Sequence, residues 1–343
     1  MSCKRAVPLS STGLQVIRHV APSNSNPIGI MHGGYMLEWI VDTATLTAMR
    51  LARSYTLLAC IEDTVFISPV RVGDIVILTS WVEYIGRSSI DVAVLVETEN
   101  PRSGEKRLTT ASSLTLVSVD DNLRPKPVGI CLESTSSLEE EILEEAIRRR
   151  VGREERIKDR RIRVKDTSIP KPLISGYFIS SMYIVNPEDS LGYNVLHGGR
   201  LLRKLDEITS IVASKYAQGV VVTGAVDVTD FYTPIKVGHI VEINATLSYV
   251  GFKSVEVKAK VNTINPLTWE RLHASTSYFT FVHIGVDGVS TPVREFKPEY
   301  EWQEELIREA IARKERRESI IRMLKSKQTL EKLSLIKEKI IKL

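Results

Sequence analysis

The chain has 343 residues, about twice the size of a usual single domain, so two domains are the starting expectation. Hydrophobic residues make up 43% and charged residues 26%, an ordinary globular balance that gives each half enough apolar material for a core. A net charge of +4 is too small a surplus for a dedicated nucleic-acid binder, and no apolar run approaches the ~20 residues needed to span a bilayer. Met1 to Ser10 lacks the apolar stretch of a secretory signal. Cys3, Cys60 and Cys131 are scattered, without a CxxC pair or a His cluster nearby. The expectation is a soluble cytoplasmic protein with neither a disulfide framework nor a structural zinc site.

In chain order, Leu14 to Val20 predicts a strand. Gly33-Gly34 then opens a run in which Met36, Leu37, Ile40, Val41, Ala44 and Ala48 fall at helical spacing. Leu57 to Ile67 is β-rich and stops at Ser68-Pro69. Asp74 to Tyr84 alternates in part, Gly86 turns the chain, and Ser89 to Thr98 alternates through Ile90, Val92, Val94 and Val96. A turn-rich loop, Asn100 to Gly104, leads to a further strand over Leu108 to Val119. Short turns imply antiparallel neighbours, so the order predicts an α+β unit: one long helix against an antiparallel sheet. Glu133 to Lys171 carries 21 charges, acids first and arginines after, as a helix dipole prefers. Ser136 or Ser137 can cap a helix there, and the mixed charge reads as a solvated connecting helix. The nearby acids offset Arg148, Arg149 and Arg150, which argues against a nucleic-acid or membrane role.

The whole pattern then repeats. His32-Gly33-Gly34 recurs as His197-Gly198-Gly199, and the same offset of 165 carries Phe66 to Phe231, Pro69 to Pro234, Gly73 to Gly238 and Asn100-Pro101 to Asn265-Pro266. The register holds without a gap from Gly29 to Pro101. The charged segment repeats too, Glu141–Ile147 against Glu305–Ile311, at an offset of 164. Two prolines, Pro170 and Pro172, mark the boundary between the copies. Gly-Gly at a helix start lets another backbone or a ligand come close and leaves amide N–H groups free for an anion or oxyanion. It also serves as a plain tight turn into a helix, and duplication preserves architecture as readily as chemistry.

Taken together, Asn26-x-x-Gly29-x-x-His32-Gly33-Gly34 with its helix, Phe66-x-x-Pro69-x-x-x-Gly73-Asp74, and Gly86-Arg87-Ser88-Ser89 resemble the double-hotdog acyl-CoA thioesterases. The second copy carries the resemblance through His197-Gly198-Gly199, Asp206-Glu207, Asp230-Phe231, Pro234, Gly238 and Gly251-Phe252-Lys253-Ser254. The resemblance implies two tandem hotdog domains, residues 8–125 and 173–290; outside it, the charge pattern reads as a charged helical linker at 126–172 and a C-terminal helical extension at 291–343. It implies hydrolysis of a fatty acyl-CoA to free fatty acid and coenzyme A, with no metal or organic cofactor. The site would lie between paired hotdogs, with an Asn from the loop before one helix and an acid from the other helix.

The two copies are asymmetric in a way that bears on that site. Asp206 lies seven residues after Gly199, and the matching position after Gly34 is Val41, which cannot act as a base. Asp42 is next door, but one residue turns ~100° around a helix, so it is expected to face away from the cleft. Asn26 aligns with Leu191, so the second copy lacks the Asn. One composite site per chain is therefore expected, with Asn26 and Asp206 catalytic and His32, Gly33 and Gly34 forming the oxyanion end. Asp42, His197, Gly198 and Gly199 are read as inactive counterparts. Arg87, Ser88, Ser89, Lys253 and Ser254, on matched turns, suit coenzyme A phosphates. The resemblance also implies a homo-oligomer, commonly a trimer of double units. Leu330, Leu333, Leu335, Ile336, Ile340 and Ile341 give the C-terminal helix an apolar component fit for packing. Two other readings keep the resemblance and change the activity: a hydratase or dehydratase of acyl thioesters, and a non-catalytic acyl-CoA-binding protein.

Overall fold

The computed structural model describes residues 3–341 apart from 4 and 286. The first unit runs β1 (Arg5–Pro8), β2 (Leu14–His19), α1 (Gly33–Ala52), β3 (Tyr55–Ile61), β4 (Thr64–Val65), β5 (Ile75–Ile85), β6 (Ser89–Glu99), β7 (Lys106–Val119) and β8 (Ile130–Glu133). Helices α2 (Ser137–Arg156) and α3 (Arg160–Arg163) follow. The second unit repeats the order as β9 (Phe178–Ile184), α4 (Gly198–Ala217), β10 (Val220–Val226), β11 (Thr229–Asp230), β12 (Ile240–Val250), β13 (Ser254–Ile264) and β14 (Arg271–Ile284). Two helices, α5 (Glu301–Leu324) and α6 (Lys327–Ile341), close the described chain.

Each long helix is wrapped because its apolar spacing runs its full length. Leu37, Ile40, Val41, Ala44 and Ala48 of α1 are fully buried, as are Leu202, Leu205, Val212 and Ala213 of α4. The two six-stranded sheets have the orders β11-β3-β7-β6-β5-β2 and β4-β10-β14-β13-β12-β9. Each sheet thus receives a short strand from the other unit: Thr64 and Val65 pair with Val226 and Ala225, and Thr229 and Asp230 pair with Ile61 and Cys60. This exchange joins the sheets edge to edge and leaves fewer open edges. It also brings α1 and α4 against each other, each N-terminus over the other helix, where Gly34 meets Arg203 and Gly199 meets Glu38.

Three expectations need correction. Cys3 and Cys131 form a disulfide, with Cα atoms 5.7 Å apart across 128 residues of sequence. No local spacing signals it, because the parallel pairing of β1 with β8 is what brings the two together. Cys60 is free and buried. Second, α2 is no solvated connector. Ile142 and Ala146 are buried, and its arginines reach back to the strands: Arg149 Nη2 lies 2.5 Å from Glu83 Oε2 and Arg153 Nη1 lies 3.0 Å from Asp91 Oδ1. Helix α5 does the same in the second unit, with Arg317 Nη1 2.7 Å from Asp227 Oδ2 and 2.9 Å from Glu256 Oε2. Buried charges persist only when paired, and these are. Ser136 holds the N-cap position of α2 without a side-chain cap bond; Glu139 instead accepts from the Thr135 N–H at 2.6 Å. Third, α6 packs as its apolar residues imply, but within its own chain and on the other unit, so this packing is not evidence for association between chains. Ile336 and Ile340 are buried with Leu9, Trp81, Ala93, Leu95 and Ile142 of the first unit.

Candidate active site

The start of α1 is built to be approached. A Cβ on Gly34 would lie 3.0 Å from the Arg203 Cα and carbonyl and from the Asp206 Cβ, so only glycine lets α4 close to this distance. A Cβ on Gly33 would lie 2.4 Å from Thr223 Cβ. Through that gap the second unit delivers Asp206, which is fully buried. Its Oδ2 accepts the Gly34 N–H at 2.8 Å, and its Oδ1 accepts the Thr223 hydroxyl at 2.8 Å. The His32 Nδ1 lies 2.5 Å from Oδ2. A carboxylate at a helix N-terminus gains from both the free amides and the helix dipole. Burial alone would lower the His32 pKa, but the bond to Asp206, its charge and that of Glu207 leave it above the usual 6.5.

Asn26 sits in the loop that leads into this helix. Its side-chain Oδ1 accepts from the N–H groups of Ile28 (3.2 Å) and Ile30 (3.0 Å), and the loop closes with the His32 N–H donating to the Asn24 carbonyl at 2.8 Å. Gly29, at φ +73°, makes the turn possible. With Oδ1 committed to the loop, Nδ2 is the atom left to donate. Beside Gly33 and Thr223 lies a cavity of about 260 Å³, walled by Met36, Phe66 and Val282.

The second helix start has the same backbone and different chemistry. Val41 stands where Asp206 does, Leu58 where Thr223 does and Leu191 where Asn26 does. His197 is buried, and burial followed by the charge of Arg200 lowers its pKa to about 4, so it is neutral where His32 favours its proton. Asp42 does not turn away from this end, as its helical position suggested. Its Oδ1 lies 3.4 Å from His197 Nδ1, while its Oδ2 accepts from Arg18 Nη2 at 3.0 Å. Burial raises its pKa to about 6, with Arg18 working against the rise.

Sequence reasoning missed Thr223. The signal was present: at the offset of 165 it stands opposite Leu58, a polar residue in an apolar strand position on the same side of the asymmetry as Asp206. Reasoning from Gly-Gly also counted the Gly34 N–H as an oxyanion donor, but Asp206 already takes it. The Gly33 N–H and Asn26 Nδ2 remain.

The matched turns lie at different cavities. Lys253 Nζ lies 3.4 Å from Ser290 Oγ, next to the Gly288 that lines the first cavity. Arg87 is exposed, and the neighbouring carbonyls of Arg87 and Ser88 accept from Val128 and Ser118, near the Val119–Pro125 wall of the second cavity. Ser89 and Ser254 close the two turns by accepting the Gly86 and Gly251 N–H groups at 2.8 Å. The described residues contain no His/Cys/Asp/Glu group fit for a metal and no helix long and apolar enough to cross a membrane.

Two helix-in-sheet units whose helices abut, with a carboxylate of one at the amide end of the other, define a double hotdog. The thioesterase superfamily profile matches the chain twice, at residues 28–105 and 193–268. The chain is 28% identical over 298 residues to the human cytosolic acyl coenzyme A thioester hydrolase, covering 83% of this chain and 78% of that one. It is 36% identical over 124 residues to the Bacillus subtilis protein named uncharacterized acyl-CoA thioester hydrolase YkhA, covering 36% of this chain and 70% of that one. A solved Lactobacillus plantarum structure described as an oleoyl thioesterase shares 8% identity at a TM-score of 0.51, covering 81% of this chain and 99% of that one, a likeness of fold alone. The chain belongs to the thioesterase superfamily.

Proposed function

We propose that this chain is an acyl-CoA thioesterase that hydrolyses fatty acyl-CoA to free fatty acid and coenzyme A at one composite site between its two hotdogs. The observation that carries the reading is the Asp206 carboxylate of the second unit, bonded to the Gly34 N–H that opens the helix of the first. Asp206 Oδ1 has one donor, Thr223, and so keeps a lone pair for a water proton or for direct attack on the thioester carbon. In the water route, water bonds to the carbonyl carbon and passes a proton to Asp206. The tetrahedral intermediate then expels the sulfur, which leaves as the coenzyme A thiol once protonated, and the acid is released. Asn26 Nδ2 and the Gly33 N–H suit the oxyanion, and His32 holds Asp206 in place. The acyl chain suits the apolar 260 Å³ cavity, and Lys253 with Ser254 suits the coenzyme A phosphates at that site, as Arg87, Ser88 and Ser89 would at the other.

The same reading includes a cytoplasmic location, in line with relatives named cytosolic, and self-association, with a trimer of double units as the favoured form. Matched exposed apolar residues support association: Ile17 with Met182, and Leu46 with Ile211. Release of free thiol from palmitoyl-CoA and acetyl-CoA, followed with a thiol-reactive dye, tests the activity. Release from neither, with binding retained, would overturn hydrolysis in favour of a binding protein.

A further inference from the structure

The second helix start keeps a cavity that the catalytic residues have left. It measures about 360 Å³, within the usual range of ligand sites of about 300–1,000 Å³ and larger than the first cavity. Its walls repeat those of the first at the offset of 165: Phe231 for Phe66, Leu201 for Met36, Val117 for Val282. What changes is the reactive set, since Val41, Leu58 and Leu191 replace Asp206, Thr223 and Asn26. Loss of function alone gives no reason for the space to stay open, because apolar interiors close-pack.

One polar side chain aims at a ligand. His197 lines the cavity and is 4% exposed, and neither ring nitrogen has a hydrogen-bond partner among the described residues. Asp42 Oδ1 stands 3.4 Å from Nδ1 without bonding geometry. Beside His197, the Gly198 backbone lines the cavity at the start of α4. An unpartnered, buried imidazole at a helix start, on a largely apolar wall, calls for one carbonyl or carboxylate oxygen on an apolar tail.

We propose that the second cavity is a non-hydrolytic acyl-binding site, holding an acyl chain with its carbonyl oxygen at the start of α4. This rests on the acyl-CoA reading above. Asp42, the carboxylate at this end, is paired with Arg18, and no acid, Asn or Thr stands at the positions matching Asp206, Asn26 and Thr223, so a bound thioester there is retained rather than cleaved. An uncleaved acyl-CoA and a released fatty acid share the required chemistry.

Titration calorimetry of the full chain separates the possibilities. The probes are laurate, free coenzyme A, and a ketone analogue of lauroyl-CoA with a methylene inserted between carbonyl and sulfur. Two molecules of laurate or of the analogue should bind per chain; laurate binding identifies the free acid as sufficient, and binding of the analogue alone identifies the thioester form. Leu58→Trp fills the cavity and should reduce the count to one while lauroyl-CoA hydrolysis stays unchanged. Ala59→Phe, on the same wall, repeats the test where the larger variant does not fold. A count of one in the wild-type chain with hydrolysis intact overturns the second site and leaves the thioesterase reading standing. Two molecules bound in both cavity variants overturn its location. No hydrolysis of any acyl-CoA overturns the activity itself, whatever the count.

Discussion

Asp206 is fully buried and draws its donors from three places: the start of α1, strand β10 and the loop that carries His32. Such a carboxylate is positioned rather than merely tolerated. Asp206→Ala should lower turnover by about 10²–10⁴, as loss of a general base does, and Asn26→Ala should cripple it as well. Asp42→Ala should leave most of the activity, and the reverse pattern in steady-state rates would invert the site. The two imperfectly matched ion contacts also respond to pH in distinguishable ways. His32 binds its proton more tightly in the folded chain than a free imidazole, so its stabilisation is complete below about pH 6.5 and is lost as pH rises through its raised folded value. Asp42 has a pKa raised to about 6 by burial, so its folded form also binds the proton more tightly, and stability falls as pH rises from about 4 to 6. Thermal unfolding across these two windows, comparing wild type with His32→Gln and Asp42→Asn, should show each slope vanish in its own variant. A slope that persists in its variant refutes the assignment.

The helices decide how closely the units approach. A Cβ on Gly34 has backbone on one side and Asp206 on the other, neither of which can swing aside. Gly34→Ala should therefore destabilise by about 1–3 kcal/mol, the usual range for overpacking, and reduce activity by displacing Asp206. At the other end of the chain, Ile340 fills the space over Gly13, whose Cβ would otherwise overlap it. Ile340→Ala should cost about 2–5 kcal/mol in denaturant unfolding, with hydrolysis preserved at low denaturant. A cost near zero would mean that α6 does not hold this position in solution. Arg317→Ala removes both close bonds to the buried Asp227, leaving it Arg313 at 3.7 Å while Glu256 keeps Arg313 at 2.7 Å, and should cost about 3 kcal/mol, more than loss of an exposed arginine would.

For the molecule as a whole, neither unit is complete. The strand exchange of β4 and β11 and the crossing of α6 tie the halves together, and Asn26 and Asp206 lie in different halves. Residues 1–172 and 173–343, produced separately, should each lack hydrolysis, and co-expression should restore it; activity from an isolated half would refute the composite site. Light scattering should give a particle mass well above the 38.5 kDa of one chain, and a monomer would refute association through the exposed apolar residues.

Much of this was legible in the residues. The helix and strand order follows from local periodicity and from turn residues that recur at a fixed offset, and both are properties of nearby chain. The asymmetry between Asp206 and Val41, and between Asn26 and Leu191, could be read by laying one copy on the other. Tertiary structure alone decided what depends on contacts distant in sequence. The Cys3–Cys131 bond requires β1 to find β8, the crossing of α6 requires the first unit's outer face, and the burial of Arg153 and Arg317 requires acids on strands far behind them. Composition could not reveal that Gly34 spends its amide on Asp206, or that an apolar cavity remains beside His197, because both follow from how closely α1 and α4 pack.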